Sequence, residues 1–451
     1  MSIGVAIIGS GIFAREEHLP AVQATKGFTL KAIYSRSLGS AQNLASRTSG
    51  VDLYSEDSGA GKGYSDLLAR EDIQAVIIAL PILVQPQFIR KALSAGKHVL
   101  SEKPIAKDLA TAQELVQWYR TNVDTGKVFW GVAENYRYYK QYLYAAEQIQ
   151  KLGRVKNFRV NLHTMVKTDF KYYLTEWRKV PDYQGGFLLD GGIHIVAGLR
   201  LLLGSNDPVT ALSAHSNLMQ EHLPPVDTVD AVMKTKSGAT GIFSASYGSD
   251  FKDFGYEFSC EGGVVTVTFD GVTVKGERKD VPYEGKAVGP EVADFAASIA
   301  KGGPLDKRQS PEEALADLEI LEKMLQSGEK DGEKMQLSLQ RNFSSQSIWN
   351  LWYLINLDHT IILGICQHAW RFHKSGAPAR ARDGLGALPE TANQGFSGSS
   401  PKNPRSLSEP LARMLHSLLG RPNLSANFDI EFDPVTTTST PSQRDPVAPP
   451  K

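Results

Sequence analysis

The chain has 451 residues, with 49 basic and 49 acidic side chains that cancel to a formal charge of zero. That length accommodates two or three domains, and the charge balance argues against nucleic acid or an anionic membrane surface as a partner. Two cysteines, Cys260 and Cys366, supply neither a disulfide framework nor a metal-type spacing, so the expectation is a reducing, cytoplasmic compartment and no bound metal.

The first apolar run, Ile3 to Ile8, reads as a buried parallel strand rather than a secretory leader. It feeds straight into Gly9-Ser10-Gly11-Ile12-Phe13-Ala14, the G-x-G-x-x-A form of a dinucleotide fingerprint. In such a turn Gly9 permits the tight bend, Gly11 lets the backbone approach a pyrophosphate, and Ala14 lets the next helix pack close. Phe13 to Thr25 carries apolar residues at helical spacing, and a helix there points its first N–H groups at the phosphates. Glycine pairs also make ordinary strand-to-helix turns; the flanking strand and helix favour the nucleotide reading.

Phe28 to Tyr34 reads as a second strand, followed by Ser35-Arg36-Ser37. No acid stands there to bind a ribose 2′-hydroxyl, and a guanidinium flanked by hydroxyls suits a 2′-phosphate. NADP is therefore expected over NAD, against the plain alternative of a solvated loop arginine. Ala75 to Leu80 reads as a strand ended by Pro81, Pro86 to Ala95 as a helix, and His98 to Ser101 as a strand. Leu109 to Tyr119 reads as a helix and Val128 to Ala133 as another strand. This alternation predicts an α/β fold with a doubly wound parallel sheet over residues 1–125.

Glu102-Lys103-Pro104 falls at the carboxyl end of a predicted strand, where open α/β sheets bind ligands. A lysine there can stabilise charge on a reacting oxygen or relay a proton, with Glu102 to tune it. A surface lysine is the bland reading. Val155 to His163, Ala231 to Lys236, Thr240 to Tyr247 and Val264 to Phe269 read as strands with short turn-rich links. They predict an α+β domain with a largely antiparallel sheet over residues 126–341, closed by helices at Val292 to Ala300 and Glu312 to Gln326. Within it, Gly185-Gly186-Phe187-Leu188-Leu189-Asp190-Gly191-Gly192-Ile193-His194 places Asp190 and His194 four apart. On a helix they share one face, a carboxylate and an imidazole suited to proton transfer. A glycine-rich helix start with a capping Asp is the alternative.

Residues 342–451 change character. Ile348 to Trp370 is apolar-rich, but Asp358 interrupts it, at about 2.5–3.5 kcal/mol against insertion, so a membrane role is not expected. Residues 374–451 are rich in Ser, Pro, Gly, Ala and Thr and read as a disordered tail, with one short helix at Leu407 to Leu419.

The three motifs, in this order, resemble the glucose–fructose oxidoreductase, inositol dehydrogenase and rhizopine-catabolism (Gfo/Idh/MocA) family over about residues 3–340. Trp177-Arg178 resembles the family's W-R pair. GSGIFAREEHLPA, GVAENYRY and GGFLLDGGIH look like its fungal NADP-dependent branch. The resemblance implies a Rossmann domain and a pyridine-nucleotide oxidoreductase acting on a sugar, polyol or related small molecule. It implies catalytic roles for Lys103, His194 and Asp190. Cofactor contacts would come from Gly9, Gly11, Ile12, Phe13, Ala14, Ser35, Arg36, Leu80, Pro81, Glu102, Lys103 and Arg178, with Tyr136 and Asn135 as further pocket candidates. A homodimer or homotetramer is expected through the second sheet. A non-catalytic NADP sensor on the same fold is the rival reading.

Overall fold

A computed structural model of the chain describes residues 2–281 and 284–340. The expected tail, the apolar stretch at 348–370, the short helix at 407–419 and Cys366 lie outside the described residues.

Six strands form the first sheet: β1 (Ile3–Ile8), β2 (Phe28–Ser35), β3 (Asp52–Ser55), β4 (Ala75–Ile78), β5 (His98–Glu102) and β6 (Trp130–Ala133). All are parallel, in the order β3-β2-β1-β4-β5-β6. Helices α1 (Leu19–Ala24), α2 (Leu38–Ala45), α3 (Tyr64–Leu68), α4 (Gln85–Ser94) and α5 (Leu109–Asn122) lie between them in sequence. The direction of strand order reverses between β1 and β4, and in such sheets the ligand crevice opens there, beyond the carboxyl ends. Register then places the site. Ile8 pairs with Ile78, Ile78 with Ser101, and Glu102 with Ala133. Gly9, Ala79, Lys103 and Glu134 therefore leave their strands along one rim.

Gly9 is required by that geometry. Its φ is +108°, and a Cβ there would stand 2.2 Å from the carbonyl oxygen of Ala79. The segment expected as one regular helix from Phe13 to Thr25 is helical from Ile12 to Ala24, but opens into a π-turn over Ala14–His18 before α1. Pro20 has no N–H to give the Glu16 carbonyl, which accounts for the break in regular α pairing.

After α6 (Lys140–Lys151) come β7 (Val155–Met165), α7 (Glu176–Lys179), α8 (Gly186–Leu203), β8 (Val209–Asn217) and β9 (Thr228–Thr235). They are followed by β10 (Thr240–Ser246), β11 (Gly248–Cys260), β12 (Gly263–Val267), β13 (Gly271–Val274), β14 (Glu277–Asp280), α9 (Val288–Lys301), α10 (Pro311–Glu329) and β15 (Met335–Gln336). The nine strands lie in the order β14-β13-β12-β11-β7-β10-β9-β8-β15, antiparallel except where β7 and β10 run parallel. Helices α6, α8 and α10 pack on one face. The other face leaves alternate residues of β9 exposed. Helix α8 is long and apolar enough to cross a membrane, yet most of it is buried inside this fold, as a core helix is.

The two domains are not sequential blocks. Val288, Val292 and Phe295 of α9 share a core cluster with Val5, Ile7 and Ile33 of the first sheet. Phe295 meets Phe28 edge-on, ring centroids 6.3 Å apart. A helix from the 126–341 segment thus completes the first domain, because the apolar face of α1 needs a partner layer.

Candidate active site

A cleft of 1490 Å³ runs from the Gly9 turn across the rim of the parallel sheet to the amino-terminal half of α8. It exceeds the roughly 300–1,000 Å³ of a single drug-sized ligand site, which leaves room for a dinucleotide and a second molecule. Gly9, Gly11, Ile12, Phe13, Ala14, Ser35, Arg36, Leu80, Pro81, Glu102, Lys103, Arg178, Asp190 and His194 all line it, as do Asn135 and Tyr136.

The nucleotide end is built to take a polar ligand. A Cβ at Gly11 would enter open space, while the buried hydroxyl of Ser10 has no hydrogen-bond partner among the described residues. Both features fit a pyrophosphate approaching the turn. At the end of β2, Arg36 is exposed and has no ion-pair partner among the described residues. Ser37 does not join it: its hydroxyl caps α2 and it is not among the cleft residues. Glu56 lines the cleft and accepts a hydrogen bond from Tyr34. Asp57 is occupied with the Leu38 N–H and the Ser55 hydroxyl.

At the chemical end, two separate charge networks meet. Lys103 Nζ donates to the Asp190 carbonyl oxygen at 2.8 Å and to its Oδ1 at 2.9 Å. Arg178 Nε donates to Asp190 Oδ2 at 2.7 Å, and the guanidinium lies 3.9 Å from the centroid of the Trp177 ring. Burial opposes the charge on Asp190, but Arg178 and Lys103 outweigh it and hold the carboxyl well below its usual range. Two of the three ammonium donors of Lys103 are thus used, and one remains for the cleft.

His194 belongs to the second network. Its Nδ1 lies 2.6 Å from Glu134 Oε1, and its ring stacks on Tyr136 at 4.4 Å and 13°. Nε2 makes no hydrogen bond to a described residue. Burial raises the Glu134 carboxyl, but His194, Arg137 and Lys103 more than offset this and lower it. Tyr247, buried beneath α8, is pushed well above its usual range by burial, then by Tyr136 and Asp190, and stays a neutral phenol. Gly191 makes room for it, since a Cβ there would stand 2.1 Å from Tyr247 Oη.

Asp190 and His194 lie four apart on α8 and line one cleft, as their spacing predicts. Their partners differ: the carboxylate oxygens of Asp190 accept from Lys103 and Arg178, while His194 Nδ1 lies against Glu134. Asp190 is also no helix cap: it lies inside α8. Glu102 and Arg178 line the cleft, and each also has a protein partner. Glu102 Oε1 is 2.6 Å from Nε2 of the fully buried His18, and Arg178 donates from Nε to Asp190 and from Nη1 to the Thr175 hydroxyl. Sequence reasoning missed Glu134 and His18. GVAENYRY carries no local signal that its glutamate meets a histidine 60 residues away.

A family model described as "Oxidoreductase family, NAD-binding Rossmann fold" matches residues 3–128, and one described as "Oxidoreductase family, C-terminal alpha/beta domain" matches residues 146–337. Dehydrogenase FPY6 of Fusarium mangiferae is 44% identical over 345 residues, covering 73% of this chain and 97% of that protein. D-xylose 1-dehydrogenase (NADP(+)) 2 of Haloferax volcanii is 30% identical over 247 residues, covering 53% and 68% respectively. The crystal structure of an oxidoreductase from Thermotoga maritima superposes with a TM-score of 0.68 at 29% identity, covering 75% of this chain and 100% of that one.

Proposed function

We propose, from the premise that the chain belongs to the Gfo/Idh/MocA oxidoreductase family, that it is an NADP-dependent oxidoreductase. It moves a hydride between the nicotinamide and a carbinol or carbonyl carbon of a sugar, polyol or related small molecule. The observation that carries this reading is Lys103, held by Asp190 at 2.8 and 2.9 Å in the cleft that also contains the glycine turn and His194.

Ser10, Gly11 and the turn after β1 would hold the pyrophosphate, and Arg36 with Ser35 the adenosine ribose and its 2′-phosphate. A bound nicotinamide supplies the two-electron chemistry, and the protein supplies orientation and electrostatics. The remaining ammonium donor of Lys103 stabilises negative charge on the substrate oxygen. His194 accepts the hydroxyl proton at Nε2 in the oxidative direction and returns it to the carbonyl oxygen in the reductive one. Asp190 keeps Lys103 in place and balances its charge. The sugar-type substrate is supported by the family and by the xylose dehydrogenase among the relatives. The NADP preference is supported by the exposed guanidinium of Arg36, which has no ion-pair partner among the described residues.

The test is direct. Fluorescence titration with both reduced cofactors should give tighter NADPH than NADH. Absorbance at 340 nm should then fall with NADPH and at least one member of a panel of aldoses, ketoses and keto-sugars. Tighter NADH binding would refute the cofactor assignment.

A further inference from the structure

One buried carboxylate beside this site has no part in the chemistry so far. Glu134 follows the last residue of β6, one step past the Glu102–Ala133 pair, so register sets it beside Lys103. Its side chain is 1% exposed. Oε1 lies 2.6 Å from His194 Nδ1 and also accepts the Tyr136 backbone N–H at 3.2 Å. Oε2 is buried with no partner among the described residues.

Such a group is costly for the fold. A buried charge with an unsatisfied oxygen destabilises, and an apolar residue of similar volume often serves better. Its surroundings nonetheless keep it ionised. Against burial, His194 first and then Arg137 and Lys103 favour the charge. Glu291 of α9 is pushed well above its usual range by burial, then by Glu102 and Glu134, and adds no second charge. An ionised carboxylate can only accept hydrogen bonds. In a neutral imidazole one nitrogen donates and the other accepts, and the partner of the first decides which. The ring is fixed along its edge by Glu134 and across its face by Tyr136.

We propose that Glu134 is the positioning residue for His194: it holds the proton on Nδ1 and so leaves Nε2 with a free lone pair toward the cleft. This rests on the acid–base role given to His194 above, and it replaces Asp190 as the partner of the imidazole. Glu134 touches neither substrate nor cofactor; it acts through the ring.

The experiment is nitrogen NMR on protein labelled with 15N-histidine, cofactor-free and loaded with NADPH, with His194→Gln to assign the signal. At a pH where the ring is neutral, wild type should show the Nδ1–H form of His194. Glu134→Gln, which keeps an oxygen acceptor, should retain that form. Glu134→Leu should lower the ratio of Nδ1–H to Nε2–H by about tenfold or more, the scale of one hydrogen bond to a charged group. A wild-type ring with its proton on Nε2, or a Glu134→Leu ratio unchanged from wild type, overturns the proposal. If Glu134→Leu does not fold by near-ultraviolet circular dichroism, the wild-type signature still decides. No substrate is needed, so failure here is separable from failure of the oxidoreductase reading.

Discussion

Replacing Asp190 by Asn leaves shape almost unchanged and removes one buried negative charge. Its carboxylate pairs with Lys103 at 2.9 Å and Arg178 at 2.7 Å, with the three side chains only 11%, 11% and 14% exposed. At that depth solvent screens little, and removing one member of a buried ion-pair network costs about 3–5 kcal/mol because the partner charges stay behind. With a urea slope of about 3 kcal/mol per molar, the unfolding midpoint at pH 7 should drop by about 1 M or more. The pH dependence has a definite sign. The carboxyl of Asp190 is lowered in the folded state, so its stabilisation is complete above the unfolded value, about 3.9. It is lost only as pH falls through the lower folded value. The gap between wild type and Asp190→Asn should therefore be constant from pH 5 to 8 and narrow only below about pH 4. Urea titrations followed by tryptophan fluorescence at several pH values provide the check. A midpoint within 0.3 M of wild type at pH 7, a gap of about 1 kcal/mol or less, would show that the Lys103–Asp190–Arg178 network is not the buried electrostatic unit described here.

Arg36→Ala should weaken NADPH binding by about 10- to 100-fold, the scale of a lost hydrogen bond to a charged group, and leave NADH within about twofold by fluorescence titration. Gly9→Ala should abolish cofactor binding and lower stability, because its Cβ would fall 2.2 Å from the Ala79 carbonyl at a φ of +108°; isothermal titration and thermal melts read both effects. The open face of the nine-stranded sheet carries Val232 and Ile242, paired across β9 and β10 and 59% and 49% exposed. Light scattering should find a dimer or tetramer in solution that Val232→Asp with Ile242→Asp dissociates, and a monomeric wild type would refute that assembly.

The first sheet was legible because its strands are buried on both faces. VAII, AIY and AVII are continuous apolar runs, and the glycines after the first of them mark the turn. The tetrapeptide DLYS of β3 was not, since an edge strand that short carries no pattern. Helix α6 and the long β11 also escaped notice; β11 mixes Asp, Lys and Gly among its aromatics over residues 248–260. In the site, Gly9, Lys103 and His194 were readable from motif and strand position. Their partners were not. Glu102 finds His18 across 84 residues, and Glu134 finds His194 across 60. Pairing at that range depends on the register of β5 with β6 and on how α8 seats against them. The same holds for Asp190: four residues from His194 on a helix face, it pairs with the two cations that packing brings within 3 Å.

The central claim is that Lys103 and His194 face a nicotinamide-bearing cleft as an active site and not as a sensor's binding pocket. NADPH oxidation at 340 nm, with the panel of aldoses, ketoses and keto-sugars, should be compared between wild type and Lys103→Ala, with NADPH affinity measured on the same samples. Wild type should turn over, and in Lys103→Ala turnover should fall by about 100-fold or more, the scale of a lost oxyanion donor, with NADPH still bound. Tight NADPH binding without oxidation by any member of the panel, or undiminished turnover in Lys103→Ala, would contradict the claim.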